Sequence, residues 1–496
     1  MKSKPTLLLV FLISLFTISC SSDYSEKSKL NNYNKDEFPK YIFLFIGDGM
    51  SFTQVNLAKA AYLHPDFRLH KKPEFGEEPM NLLKLPITGV ATTFAADRYI
   101  TESAAAATAL ATGNKTTCGT VSLNQVHTDT LKTIAEMAHD KGMKVGIISS
   151  VSIDHATPAC FYAHEKDRGQ YNSIAAQMAS SGFDYFGGGF ARGALPSSLK
   201  KENAIDITKV MKKAGYSIVT SKNKLTNIKP GQKCWAYNKN YDPDAALLYE
   251  IDQPSDYLRL ADFTAKGIEL LQNEKGFFMM VESGKIDWAC HANDGATAAH
   301  EVVALDESLA KALEFYHKHP NETLIIVTGD HECGGLALGY SATHYESAYD
   351  ILGHQKISFQ CLSRKVRKWK KSSGLSQDVV MDSIKHYFGL DDTLLSKKLK
   401  LSQYEFQRLS DAYEYSFNKR EVQEKEAHYI KFGGYDPLTV TVTHILNQKA
   451  GIDWASYSHT AVPVPIYSIG CGSTHFTGQL DNIDIAKKII KLARLK

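Results

Sequence analysis

Asp287 and His291 stand four residues apart in Lys285-Ile286-Asp287-Trp288-Ala289-Cys290-His291. On a helical turn that spacing puts carboxylate and imidazole on one face, as a shared metal ion requires. Asp330 and His331 follow the apolar run Leu324–Thr328 after a single glycine. Asp48 follows another run, Tyr41–Ile46, and lies between Gly47 and Gly49, which let the backbone turn tightly and approach a ligand. Glu282 ends a third run, Phe277–Val281, and His459 precedes the last, Val464–Ile469. Taken singly, each is an ordinary cap, loop residue or core histidine. Gathered at strand ends they form a donor set: mixed nitrogen and oxygen suits zinc, and oxygen alone suits magnesium. Ser103 opens an alanine run, Ala104–Ala107, with strong helix propensity. There the free N–H groups and the helix dipole favour an anion or an ionised hydroxyl. For that peptide alone, a simple N-cap serine is the other reading.

These residues need elements to bring them together. The apolar runs are β-branched and aromatic and do not alternate, the pattern of strands buried on both faces. Lys144–Ile148 adds another such run. Between them lie helix-like segments at Thr130–Lys141, Asn172–Ser181, Leu258–Asn273 and Ala296–Lys318. The alternation predicts an α/β fold, a three-layer α/β/α sandwich around a largely parallel central sheet. In such sheets ligands bind beyond the carboxyl ends of the strands, where the polar residues fall. From about Arg364 to Lys431 the chain is charged and helical with no strand-like run, and is read as a helical insertion in the domain. Its cluster Arg364–Lys371 reads as a solvated face and not a polyanion site.

The whole chain has 496 residues, 43% hydrophobic, with 33 Gly and 15 Pro, which excludes a disordered, collagenous or coiled-coil protein. A net charge of +3 gives no reason to expect nucleic acid as a specific partner. Lys2 and Lys4, the apolar stretch Leu7–Phe16 and the small residues before Cys20 have the layout of a signal peptide. Thr17-Ile18-Ser19-Cys20 resembles a bacterial lipobox, so residues 1–19 are expected to be removed and Cys20 to carry a lipid anchor to a membrane. An ordinary signal peptide is the alternative. Residues 20–39 then form a polar tether, and 40–496 the folded domain. The expected location is exported, periplasmic or on the cell surface. Without Cys20, the eight cysteines leave an odd number and no zinc-thiolate spacing, so Cys118, Cys160, Cys290 and Cys333 are read as core residues.

The chain closely resembles the alkaline phosphatase family. The motifs that carry the resemblance occur in order: Ile46–Met50, Thr101–Thr108, His155-Ala156-Thr157-Pro158-Ala159, Val281–His291, Thr328–His331, and Ser458-His459-Thr460 with Val462–Pro465. The resemblance implies a phosphomonoesterase with two Zn2+ and one Mg2+, acting on small phosphate monoesters. It implies Ser103 as a nucleophile that is transiently phosphorylated. One zinc takes Asp287, His291 and His459; the second takes Asp48, Asp330, His331 and the Ser103 oxygen. Magnesium takes Asp48, Thr157 and Glu282, with Asp48 bridging. Arg168 falls where the family has its phosphate-clamping arginine, and with the helix amides it is expected to hold the phosphoryl oxygens. A homodimer is compatible with the resemblance. Three positions depart from the best-known bacterial pattern: Glu102 for Asp, His155 for Asp, and Trp288 for Lys. Glu102 and Trp288 are expected to act behind the ligands, and His155 near the third metal through water. A protonated His155 would repel the cation, so magnesium binding is expected to weaken as pH falls through ~6–7. The alternatives are a phosphodiesterase or sulfatase of the same superfamily, or a lipid-anchored, non-catalytic metal- or phosphate-binding protein. A sulfatase would need a Cys/Ser-x-Pro-x-Arg context, which Ser103-Ala104-Ala105 does not provide.

Overall fold

The computed structural model describes residues 38–62, 78, 80–371, 375–417 and 425–496. The proposed signal peptide, Cys20 and most of the tether lie outside them.

Ten strands form one sheet: β1 (Tyr41–Gly47), β2 (Ile87–Thr92), β3 (Lys144–Ser149), β4 (Tyr185–Gly188), β5 (Ser217–Val219), β6 (Cys234–Tyr237), β7 (Phe277–Ser283), β8 (Thr323–Gly329), and, after four two-residue strands, β13 (Val464–Gly470) and β14 (Gly478–Asp481). The two-residue strands are β9 (Glu332–Cys333), β10 (Leu336–Ala337), β11 (Asp453–Trp454) and β12 (His459–Thr460). The order in the main sheet is β14-β2-β13-β8-β1-β7-β3-β4-β6-β5. All its pairings are parallel except those of β13, which runs antiparallel to both β8 and β2.

The central strands are buried on both faces because every residue has an apolar partner above or below the sheet. Phe43 and Phe45 join one core with Phe277, Met279 and Val327. Ile42, Leu44 and Ile46 join the other with Phe278, Met280 and Ile326. Helices cover each face: α1 (Ser103–Thr112) and α2 (Ile134–Asp140) one side, α3 (Leu260–Leu271) and α5 (Gly295–Tyr316) the other, with α4 (Lys285–His291) following β7 directly. The result is an α/β sandwich around a mostly parallel sheet.

Register explains why the polar residues meet. Gly47 of β1 pairs with Ser283 of β7 and Gly329 of β8, and Ser149 of β3 pairs with Glu282. Four adjacent parallel strands therefore end at one level, each followed by a turn carrying polar side chains. The short antiparallel pair β9–β12 sets His459 directly opposite Cys333.

Within the expected insertion lie α6 (Phe359–Trp369), α7 (Gln377–Phe388), α8 (Gln403–Phe417) and α9 (Lys425–Phe432), and α10 (Pro437–Ala450) follows. Leu362, Val366, Val380, Ile384, Phe388 and Leu409 join the same apolar cluster as the α3–α5 face, so α6, α7 and α8 share the core of the domain. In the basic run, Lys370 pairs with Asp436 at 2.6 Å. No disulfide joins any of the seven described cysteines. Among the described residues no helix is long and apolar enough to cross a membrane.

Candidate metal centre and active site

His291 and His459 face each other with Nε2 atoms 3.1 Å apart. Each Nδ1 lies against a backbone carbonyl, Tyr457 O at 2.6 Å and Thr101 O at 2.9 Å. A carbonyl only accepts, so Nδ1 carries the hydrogen and each Nε2 turns a lone pair inward. Asp287 approaches both, Oδ2 at 3.3 Å from His291 and Oδ1 at 3.4 Å from His459. Two facing lone pairs beside a carboxylate repel unless a proton or a cation sits between them. Burial opposes a proton on His291, but Asp287 outweighs it and lifts the imidazole to about 9. Burial likewise raises Asp287, and the two imidazoles outweigh it, holding this carboxyl well below the usual range.

The second group surrounds His331. Its Nε2 lies 3.3 Å from Asp48 Oδ1, 3.4 Å from Asp330 Oδ2 and 3.4 Å from the Ser103 hydroxyl. Its ring stacks on His459 at 3.7 Å between centroids, so the first two groups are contiguous. In the third, the Thr157 hydroxyl donates to Asp48 Oδ2 at 3.4 Å and is within reach of Glu282. Ser149 donates to Glu282 from the end of β3. Asp48 is common to the second and third groups.

The donor atoms fit metal ions. Asp48 Oδ1, Glu282 Oε1, Asp287 Oδ1 and Asp330 Oδ2 are buried with no hydrogen-bond donor. Unpaired buried oxygens are costly, and a cation would satisfy them. Burial, then the neighbouring carboxylates, drives Asp48 well above its ordinary value. Burial pushes Glu282 up to about 8 and, with Asp287, Asp330 up to about 7. One ligand atom from each of Asp287, His291, Cys333 and His459 lies within 4.8 Å of the others; Asp48, Asp287 and His331 form a second such set, and Asp48, His155 and Glu282 a third. Every residue expected from the sequence to bind metal therefore comes to one place. Backbone shape contributes too. Gly49 has φ +72°, and a Cβ there would stand 2.8 Å from Asp287 Cα.

Ser103 is the first residue of α1, not its cap. Glu102 takes the cap position, accepting from Ala104 N at 3.0 Å and Ala105 N at 2.7 Å, and from Gly119 N at 2.8 Å. Two amides at the N-terminus of α1 are thus already engaged by Glu102. Glu102 also pairs with Arg168 Nη1. Burial would raise the Glu102 carboxyl, but Arg168 and the three amides lower it. Arg168 Nη2 meets His155 Nε2 at 3.1 Å, and the edge of His155 meets Trp288 at 5.7 Å between centroids. Burial and the Arg168 charge hold the His155 imidazolium down to about 3. His155 therefore carries no positive charge at pH 6–7 that would repel a cation, contrary to the expectation of weaker magnesium binding through that range.

Some supporting groups are not visible from the sequence motifs. Glu332 accepts from Gln54 Nε2 at 2.8 Å, from Gly335 N at 3.1 Å and from the Thr460 hydroxyl, pinning the β9–β12 pair beneath His459. Lys285 is fully buried with Asp242 at 2.8 Å and lies 4.8 Å from the Trp288 ring. Cys333, read as packing, is buried but stands beside the first group, its Sγ 3.6 Å from the Asp287 carbonyl. Its place depends on the β9–β12 register, which no local signal reveals.

The alkaline phosphatase family model matches residues 39–495. The chain belongs to the alkaline phosphatase family. Alkaline phosphatase 4 of Bacillus subtilis is 29% identical, covering 100% of this chain and 97% of its own length. Alkaline phosphatase 3 of the same organism is 28% identical over 92% of this chain and 89% of its own. The cold-active alkaline phosphatase of a psychrophilic Shewanella superposes with a TM-score of 0.72 at 26% identity, covering 91% of this chain and 99% of that one. The Thermus thermophilus alkaline phosphatase, at 24% identity, shares the fold with a TM-score of 0.75 over 94% of each chain. Alkaline phosphatases are metal-dependent hydrolases, and family and fold together make this chain a phosphatase of that superfamily.

Proposed function

We propose that this phosphatase hydrolyses phosphate monoesters through a covalent phosphoserine at Ser103, releasing inorganic phosphate and an alcohol. The observation that carries the reading is the Ser103 hydroxyl, 3.4 Å from His331 Nε2 in a nest of buried carboxylates without donors. Asp287, His291 and His459 would hold one zinc; Asp48, Asp330 and His331, with the Ser103 oxygen, a second; Asp48, Thr157 and Glu282 a magnesium. When bound, these ions supply the positive charge that a phosphate dianion needs and lower the pKa of the serine hydroxyl. Ser103 Oγ attacks phosphorus, the bond to the ester oxygen breaks, and the alcohol leaves. Water then attacks the phosphoserine, returning the hydroxyl to Ser103 and phosphate to solvent. Arg168 binds two non-bridging oxygens through its planar fork, and Glu102 and His155 hold that fork in place.

Because these contacts all address the phosphoryl group, selectivity for the leaving alcohol should be low. That also favours a monoester over a diester, whose second substituent would replace an oxygen meant for Arg168. The test compares p-nitrophenyl phosphate, its diester and p-nitrophenyl sulfate, before and after chelation. Monoester hydrolysis lost on chelation and restored by zinc plus magnesium supports the reading. A faster diester or sulfate reaction, or full activity in a protein shown metal-free by elemental analysis, refutes it.

A further inference from the structure

Tyr457 lies between the helical insertion and the first metal group. Its carbonyl accepts the Nδ1 hydrogen of His291 at 2.6 Å, which fixes the ring so that Nε2 faces the ligand cluster. Its side chain points the other way, into the end of the insertion. The phenol donates to Lys431 O at 2.7 Å, on α9. The ring lies flat over Gly433, where φ is +59° and a Cβ would stand 2.3 Å from ring carbons. Tyr435 and His444 flank it, with centroids at 6.3 Å and 5.9 Å. One residue thus holds a metal-facing imidazole with its backbone and is gripped through its side chain by Lys431 at the end of α9 and by Gly433, Tyr435 and His444 beyond it. On the core side, the same loop is held by Asn293, whose amide donates to Ser456 O at 2.9 Å.

We propose that Tyr457 is a positioning residue through which the end of α9 and the turn that follows it hold His291 in its metal-binding orientation. This rests on the reading that His291 is a metal ligand. The physical basis is that a ligand imidazole keeps its aim only if the acceptor on its other nitrogen is fixed. Here that acceptor belongs to a loop whose outer side leans on α9 and on a glycine no other residue could replace without displacing the tyrosine ring. The end of the insertion and the turn after it accordingly contribute to metal retention without supplying a ligand.

Purified full-length protein is stripped of metal and titrated with zinc against a competing chelator. Tyr457→Ala keeps the carbonyl but removes the grip, and should weaken zinc binding at one site by about tenfold, within the range for supporting partners of metal ligands. Elemental analysis at fixed chelator should then show that site depleted and the others filled. Gly433→Ala should act in the same direction. Tyr457→Phe keeps the ring against Gly433 and should stay within about fivefold of wild type, as loss of one neutral hydrogen bond allows. Wild-type affinity at every site in Tyr457→Ala and Gly433→Ala would overturn the proposal. Equal weakening at all sites with a lower melting temperature of the stripped protein would also overturn it, since that is general loosening. If the wild type itself binds no zinc, the metal reading falls instead.

Discussion

The Ser103 hydroxyl is available because Glu102, not Ser103, caps α1. A serine at the cap would spend its oxygen on a backbone N–H; one position further in, it faces His331 instead. Ser103→Ala should abolish the phosphoenzyme and lower turnover by several orders of magnitude, while zinc and magnesium content stays close to wild type. Labelled phosphate recovered on another residue after rapid acid quench would move the nucleophile. Arg168 has a different task. In the proposed reaction Arg168, braced by Glu102 and His155, binds and orients the phosphoryl group, so Arg168→Ala should raise KM and weaken inhibition by phosphate about 10- to 100-fold, the worth of a lost charge-assisted pair. A kcat loss as deep as that of Ser103→Ala, with KM unchanged, would show that Arg168 acts in the chemical step alone. The clustered carboxylates and imidazoles were legible in the sequence as Asp, Glu and His at or beside the ends of apolar runs and as the i,i+4 pair Asp287 and His291, whereas Thr157 entered only through the family resemblance. The roles of Glu332, Lys285 and Cys333 were not, since each depends on a partner far along the chain.

Strands and turns convert those local patterns into one site. Central strands such as β1, β7 and β8 are readable as continuous apolar runs because both faces are buried. β4, β5, β6 and β14 are only three or four residues long, and β4, β5 and β14 also carry Gly, Ser or Gln, so they produce no extended run; they become strands only when a neighbour offers a hydrogen-bonding edge. The antiparallel direction of β13 was likewise not readable, because direction is set by the connection and not by the strand's own residues. The turn after β1 is where element geometry matters most for function. Gly49 adopts φ +72°, and a Cβ there would clash with Asp287 Cα at 2.8 Å, so Gly49→Ala both strains the turn and pushes α4 from β1. We expect a stability loss of about 1–3 kcal/mol and depleted metal, measured by denaturant unfolding and elemental analysis. An unchanged metal content would mean that α4 and β1 can separate without cost to the ligands.

At the scale of the molecule, anchoring and stability each give a test. If Cys20 carries the lipid, Cys20→Ser should turn a membrane-associated enzyme into a released or unprocessed one, and a wild-type protein recovered wholly in the soluble exported fraction would leave only the ordinary signal peptide. Stability carries the stronger prediction, because the metal-free protein buries more carboxylate charge than it can pair. Glu282 is pushed to about 8 and Asp330 to about 7, chiefly by burial, so the native state holds these protons more tightly than the unfolded chain does. Their contribution is present below the ordinary carboxylate range near ~4 and falls as pH rises towards those values. His291, lifted to about 9 by Asp287 against its burial, has the same sign: its stabilisation is complete below ~6.5 and is lost through about 9. Asp287 has the opposite sign, but its titration lies in acid and is finished before pH 6. Glu301, buried and raised to about 8, adds to the loss. Metal-stripped protein should therefore melt lower at pH 9 than at pH 6, by about 5 °C or more for a chain of this size. Saturating zinc and magnesium should reverse the trend, because the ions bind the deprotonated ligands and their binding strengthens as protons leave. Scanning calorimetry of the two forms across that range decides it. A stripped protein as stable at pH 9 as at pH 6 would mean that these carboxylates are already neutralised by groups of the chain itself, and that the site does not need a metal to hold its charge.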